Sequence, residues 1–428
     1  QKALESENLQ DELSRGTQDL IPTILPSGES KSAVTPQTIS LPSGEASMSG
    51  MGESFQPLLS SGTASMSVPI ILPPGRAGLQ PSISFSYLSS RGNGILGIGW
   101  DIPVPFISRQ TDKGLPRYDR GSLDRFIYNG GEELVPVASP SETADCEVDV
   151  GYEVPYYAGE SGGWAAPAEI RSVEILPSEV CGWWYFRTRM ESGFMRFFLD
   201  YAQGRWVVQD KNGALYYFGE TPESRVEFEG GGKIFQWNLT RVLDAHGNIV
   251  FYQYEKDGRQ SYLRHIWWNV RLMGDGRPWT DCAPAQDCYG HHVELLYDRS
   301  REDVITSYAS GNAVTTAWRL ERITVESVDL QTGLWRHTRD YDLSYDGSSY
   351  YSLLSSLQLW GRDRADSLPA MSFGYTEVEA RLMDGRSGIE IPGFGGFDER
   401  LWEFSTSPPH SVDEGMAGTC FTNARPAT

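Results

Sequence analysis

From about Met48 onward the chain alternates apolar and polar positions, the period that puts every second side chain of a strand on one buried face. Met66 and Val68, then Ile83, Phe85 and Tyr87, carry it clearly. Aligned on their last aromatic, the strands share a unit, apolar-x-apolar-x-Tyr before a polar turn: Ile83-Phe85-Tyr87, Val250-Tyr252-Tyr254, Val293-Leu295-Tyr297, Tyr341-Leu343-Tyr345 and Met371-Phe373-Tyr375. Turn chemistry pairs several of them, because Asn-Gly and Gly-Asn readily take the positive φ that tight hairpins need. Trp206 to Gln209 and Leu215 to Phe218 flank Lys211-Asn212-Gly213, and Phe235 to Leu243 and Ile249 to Tyr254 flank Asp244-Ala245-His246-Gly247-Asn248. Ile323 to Val328 and Trp335 to Tyr345 flank Gln331-Thr332-Gly333. Irregular spacing between the units predicts a meandering, curved sheet rather than a solenoid, with Pro69, Pro73, Pro74 and Pro81 at strand ends and edges. The expected class is all-β.

The pattern also sets boundaries. Residues 1–45, rich in Ser, Glu, Gln and Pro, are expected to be a mobile leader, 46–385 the β domain, and 386–428 a linker or the start of another module. The counts of 13 Trp, 21 Tyr, 45 Gly and 25 Pro fit many strands joined by tight turns. A formal charge of −21 makes nucleic acid and anionic membranes unfavourable partners. No apolar run of about 18 residues occurs, so no transmembrane helix is expected. The chain begins at Gln1 with a polar stretch lacking an apolar h-region, which predicts export without a Sec signal peptide from the cytoplasm to the exterior. Five scattered cysteines do not make a disulfide scaffold; Cys282 and Cys288 are close enough to close a short loop.

Two stretches resemble a known family. Gly62-Thr63-Ala64-Ser65-Met66-Ser67-Val68-Pro69-Ile70 continues through Pro74-Gly75-Arg76-Ala77-Gly78-Leu79, then Arg91-Gly92-Asn93-Gly94, Gly97-Ile98-Gly99-Trp100 and Arg109 to Gly114-Leu115-Pro116-Arg117-Tyr118-Asp119. It is similar, in order, residue type and spacing, to the SpvB-type domain at the amino end of insecticidal Tc toxin B components and of the Salmonella virulence-plasmid protein. Asp244 to Gly247-Asn248, followed by Tyr252 and Tyr254, looks like one unit of the Tyr-Asp (RHS) repeats. The resemblance covers about residues 46–380. It implies a secreted virulence protein whose sheet of RHS-like hairpins walls a shell around a toxic cargo, with a TcA-like pore and a TcC-like cargo component as partners. Physically, Gly92, Gly94, Gly97 and Gly99 around Asn93 permit close backbone approach, with Trp100 as the anchoring mass.

Chemistry is hard to find. The run Gly92 to Gly97 fits a loose G-x-G-x-x-G, but Pro103 and Pro105 preclude the helix a nucleotide site requires. His291 and His292 are adjacent and face opposite sides of a strand, and His246 and His265 lack ligands at zinc spacing, so no metal or other cofactor is expected. Family relatives with an ADP-ribosyltransferase module carry Arg, Ser-Thr-Ser and Glu-x-Glu in that order. Here Arg400 and Ser405-Thr406-Ser407 follow Glu377-Val378-Glu379, and the order is broken. Acid pairs such as Glu132-Glu133 are indistinguishable from solvated charge. The expectation is a non-catalytic structural and delivery domain. The alternatives are the leading domain of a single-chain ADP-ribosyltransferase toxin and a carbohydrate-binding or carbohydrate-acting β protein.

Overall fold

The computed structural model describes residues 51–375 except 59–61, 119–123, 155–156, 159–162, 165–167, 192, 229–231, 275–277, 280–287, 330 and 348–349, together with 382–383 and 386–387. The expected leader 1–45 lies outside them. So do Glu377 to Glu379, Arg400, Ser405 to Ser407 and nearly all of 386–428. One compact unit runs to Phe373 and a second begins at Gly374, in which the described elements are the paired strands Leu382–Met383 and Arg386–Ser387.

The first unit is built from strands, as alternation predicted. Four of them, β1 (Ser54–Leu58), β2 (Thr63–Pro69), β3 (Ser84–Leu88) and β4 (Trp100–Asp101), form a small antiparallel sheet in chain order. A sixteen-stranded antiparallel sheet follows. Its first part runs through β5 (Phe106–Arg109), β6 (Phe126–Tyr128), β7 (Glu132–Ala138), β8 (Trp184–Thr188), β9 (Arg196–Asp200), β10 (Arg205–Gln209) and β11 (Leu215–Phe218) to β12 (Lys233–Leu243). Strand β12 pairs with β5 along Gln236 to Asn238 and with β11 along Leu239 to Leu243, so these eight strands close into a barrel-like ring. The second half of β12 also starts a meander of β13 (Ile249–Asp257), β14 (Gln260–Val270), β15 (Tyr289–Asp298), β16 (Arg319–Val328), β17 (Trp335–Tyr345), β18 (Leu354–Trp360) and β19 (Met371–Ser372), and the short strand Arg225–Phe228, paired with the start of β12, completes the sixteen.

Packing explains why the sequence pattern was clean in one part and blurred in the other. Inside the ring, Phe126 meets Trp206, Phe186 and Trp237 with ring centroids 5.0, 5.7 and 5.8 Å apart, mostly edge to face, a favoured aromatic geometry. Along β10, Trp206 and Val208 enter this core while Val207 points outward. There it joins Tyr185, Phe198 and Tyr217 under Val148 and Val150, which belong to the hairpin Glu147–Val154 and Ala168–Ile175 inserted between β7 and β8. Both faces are covered, so the strand reads as a continuous apolar run. In the meander one face packs on the small sheet, with Phe85, Trp100, Trp268, Val293, Leu320 and Tyr341 in one core.

Three of the Tyr-ended units expected from sequence are bracing rungs. Tyr254, Tyr297 and Tyr345 each sit just past a register shift, and each donates its hydroxyl to a backbone carbonyl on the preceding strand: Leu239 at 2.8 Å, Leu263 at 2.7 Å and Leu320 at 2.6 Å. Leu263 and Leu320 are also the register partners of Tyr254 and Tyr297, so the bonds step diagonally across the meander. The unit ending at Tyr87 differs, since it lies in the small sheet rather than the large one.

Candidate functional site

The glycine-rich motif forms a two-residue hairpin, Asn93–Gly94 against Gly97–Ile98, laid across the far end of the meander. Gly97 has φ +82°, and a Cβ there would sit 2.0 Å from the Ser352 carbonyl oxygen; at Gly99, φ +81°, it would meet the Tyr87 ring at 2.3 Å. Gly92 and Gly94 are under no such pressure, having nothing closer than 3.7 Å. Trp100 is buried between Tyr87 and Phe373, with centroids 5.2 and 4.7 Å away.

Beneath the hairpin lies an ion pair that the sequence did not single out. Arg301 and Asp303 are both buried and 2.9 Å apart, and Arg301 also donates to the Gly94 carbonyl at 2.8 Å and to Asn93 Oδ1 at 3.0 Å. Asp303 accepts from Asn93 Nδ2 at 2.7 Å and from the Ser352 amide and hydroxyl at 2.6 and 2.7 Å. Burial opposes its charge, but the bonds from Arg301, Ser352 and Asn93 outweigh that and hold the carboxyl well below the usual carboxylate range. Asn93 is the motif residue that reads this pair.

The remaining motif residues make two further anchors. Gly62 turns the chain between β1 and β2, and Ser65, Met66 and Pro69 lie in β2. Pro74 and Gly75 lead into the short turn of Arg76 to Gly78, from which Arg76 donates to the Val270 carbonyl at 2.9 Å and approaches Asn248 Oδ1 at 3.5 Å. Asn248 is itself held by Asp244, whose carboxylate accepts from Asn248 Nδ2 and from the His246 and Asn248 amides, all at 2.8 Å, with Gly247 at φ +81° closing the turn. The two stretches that carried the family resemblance therefore touch. Tyr252 and Tyr254 continue from this turn into the core face of β13.

At the ring, Arg109 is buried against Asp124 at 2.7 Å, donates to the Ile234 carbonyl at 2.8 Å, and lies over the rings of Tyr118 and Phe126, each 5.1 Å away. The segment through Gly114 and Pro116 returns to Tyr118, whose amide bonds Asp124 and whose hydroxyl donates to the Ser310 carbonyl at 2.5 Å. Burial pushes the Tyr118 hydroxyl up to about 12, so it stays a donor.

The cysteines differ in part from expectation. Cys146 and Cys181 form a disulfide at the base of the inserted hairpin, a pairing 35 residues apart that the sequence did not point to. Cys288 is disulfide-bonded, whereas Cys282 and Cys420 lie outside the described residues. Among the described residues no group of three or more His, Cys, Asp or Glu has metal-holding geometry, and no helix is long and apolar enough to cross a membrane. Glu133 is engaged by Arg125 and Arg189 at 2.7 and 2.8 Å.

Residues 59–271 match the SpvB family, described as Salmonella virulence plasmid 65kDa B protein. Among solved structures, the crystal structure of TcdB2-TccC3 is similar at a TM-score of 0.60 and 22% identity, over 81% of this chain and 18% of that one. The Photorhabdus luminescens Tc holotoxin pore gives 0.62 and 22%, over 81% and 17%. The N-terminal domain of effector protein SpvB from Salmonella typhimurium strain LT2 gives 0.53 and 18%, over 69% of this chain and 98% of that domain. This chain thus spans less than a fifth of the Tc chains it matches, at 18% and 17%. No curated protein matches it.

Proposed function

We propose, from the match of residues 59–271 to the SpvB family, that the chain is a non-catalytic structural part of an exported toxin complex, a section of the wall that encloses a cargo chain. The observation that carries this reading is the fate of the motif residues. Asn93, Arg76, Arg109 and Tyr118 all end in bonds to other parts of the same unit, where they fix strands to one another. Residues kept for binding or chemistry would instead direct polar atoms into a cleft. The partners on this reading are a TcA-like pore component and a TcC-like cargo component, with RHS-type hairpins forming the wall between them.

The test is co-expression of the full-length protein with its cargo and pore components. Cargo within the assembled shell is expected to resist protease, and loosening the wall at Asp303 should expose it without altering the cargo's own activity in solution. Catalysis by the isolated chain, or specific sugar binding, would overturn the proposal. The near-complete coverage of the Salmonella domain favours one second reading, the leading domain of a single-chain toxin. In that case delivery would proceed without a separate cargo chain.

A further inference from the structure

Three of the six histidines, far apart in the chain, meet on the face of the meander opposite the main core. Trp267, His292, Glu326 and His337 stand directly opposite one another on β14, β15, β16 and β17, and His265 lies one step along β14. His265 Nδ1 is 3.0 Å from His292 Nε2, and His292 Nδ1 is 3.0 Å from Glu326 Oε2. His337 Nε2 lies 3.3 Å from Glu326 Oε1, and its Nδ1 lies 3.7 Å from Asp340. The Trp267 ring is stacked flat on buried His292 at 3.8 Å.

We propose that this row is an acid-operated latch joining β14 to β17, closed while His265 and His292 share at most one added proton and opened when both rings are charged. Two facing ring nitrogens 3.0 Å apart need one donor and one acceptor. A single added proton satisfies this, because doubly protonated His292 donates to His265 on one side and to Glu326 on the other. A second sets two N–H groups head to head and two like charges in contact.

The surroundings oppose that second proton. Arg264 flanks His265 and is held by Glu294 at 2.8 Å and Glu255 at 3.6 Å; Gln253 and Glu294 are the register neighbours of His265. At the other end stand His337, Asp340 and Arg364, the last 3.7 Å from Asp340. Burial first, then His292 and Arg264, bring His265 down to about 4, while the bond from His292 lowers Glu326. The unfolded chain takes up the His265 proton near 6.5 and the folded one near 4. The latch therefore contributes fully above 6.5 and is lost as pH falls through 4.

The experiment follows amide hydrogen exchange of the full chain from pH 7.5 to 4.0, corrected for the pH dependence of intrinsic exchange. Between pH 6.5 and 4.0, segments from β14 to β17 are expected to gain exchange at least about tenfold more than strands β8 to β10. His265→Gln, neutral at every pH, should abolish that excess. An unchanged excess in the variant, or a uniform rise along the chain, overturns the latch. Should the variant fail to fold at pH 7.5, assigned imidazole titration of the wild type by NMR decides: a His265 ring still neutral at pH 5 supports the latch, and a His265 midpoint above 5 refutes it.

Discussion

Replacing Asp303 by Asn tests the anchor under the glycine hairpin. The carboxylate accepts four hydrogen bonds, two on each oxygen: Arg301 Nε and Ser352 Oγ on one, Asn93 Nδ2 and the Ser352 amide on the other. An asparagine can keep only one oxygen, so its amide group faces Arg301 Nε in one orientation and both Asn93 Nδ2 and the Ser352 amide in the other. Arg301, whose side chain is fully buried, loses its counter-charge and cannot reach water. Breaking a buried pair in this way costs about 3–5 kcal/mol. Urea unfolding should show that loss as a lower midpoint at unchanged slope. The pH profile adds a signature. The folded carboxyl titrates well below the unfolded one, so its stabilisation is present above about pH 4 and disappears as pH falls toward the depressed value. Asp303→Asn should remove that part of the acid dependence. A loss below about 1 kcal/mol, typical of an exposed pair, would refute the account of the anchor.

Gly97→Ala places a Cβ against the Ser352 carbonyl at positive φ and should cost more than about 3 kcal/mol or prevent folding, whereas Gly92→Ala, with nothing within 4 Å, should change stability by less than about 0.5 kcal/mol in the same assay. Tyr297→Phe removes the bond to the Leu263 carbonyl and should cost about 1–2 kcal/mol in urea unfolding with the fold unchanged by circular dichroism. Opening the Cys146–Cys181 bridge with the double Ser variant releases a 35-residue loop and should lower stability by about 3–4 kcal/mol on the chain-entropy estimate, read as a fall in Tm.

The hairpins of the meander were legible because a strand with one covered face advertises it every second residue, and because Asp244 to Asn248 and Gln331 to Gly333 are turn-formers by their own chemistry. Closure of the ring was not. It depends on β12 meeting β5 and β11, pairings between distant segments that no local period encodes. The run Trp206-Val207-Val208 was legible as a hairpin strand, but which of its side chains face the ring interior was not, because the inserted hairpin covers the outer face. The motif glycines were recognisable as points of close approach, yet what they approach was invisible. Arg301 lies two residues from Arg299, whose side chain is 60% exposed, and only the fold separates the buried cation from the solvated one. The same holds for the His265–His292 contact, which joins residues 27 apart through strand register alone.

The small sheet packs against late strands of the meander, and this has a consequence for synthesis. Phe85 and Trp100 leave the ribosome long before Leu320, Tyr341 and Leu354, which complete the core they occupy. At about 5–20 residues per second, that interval is roughly 10–50 s. For that time the core face of this segment lacks the partners that complete it, while the ring from Phe106 to Leu243 can already close behind it. A nascent chain of this design benefits from being held by a chaperone until its last hairpins arrive. The hairpin of Asn93 to Ile98 clasps Ser352 only at the end, making its docking on Arg301 and Asp303 a late event that marks completion of the domain.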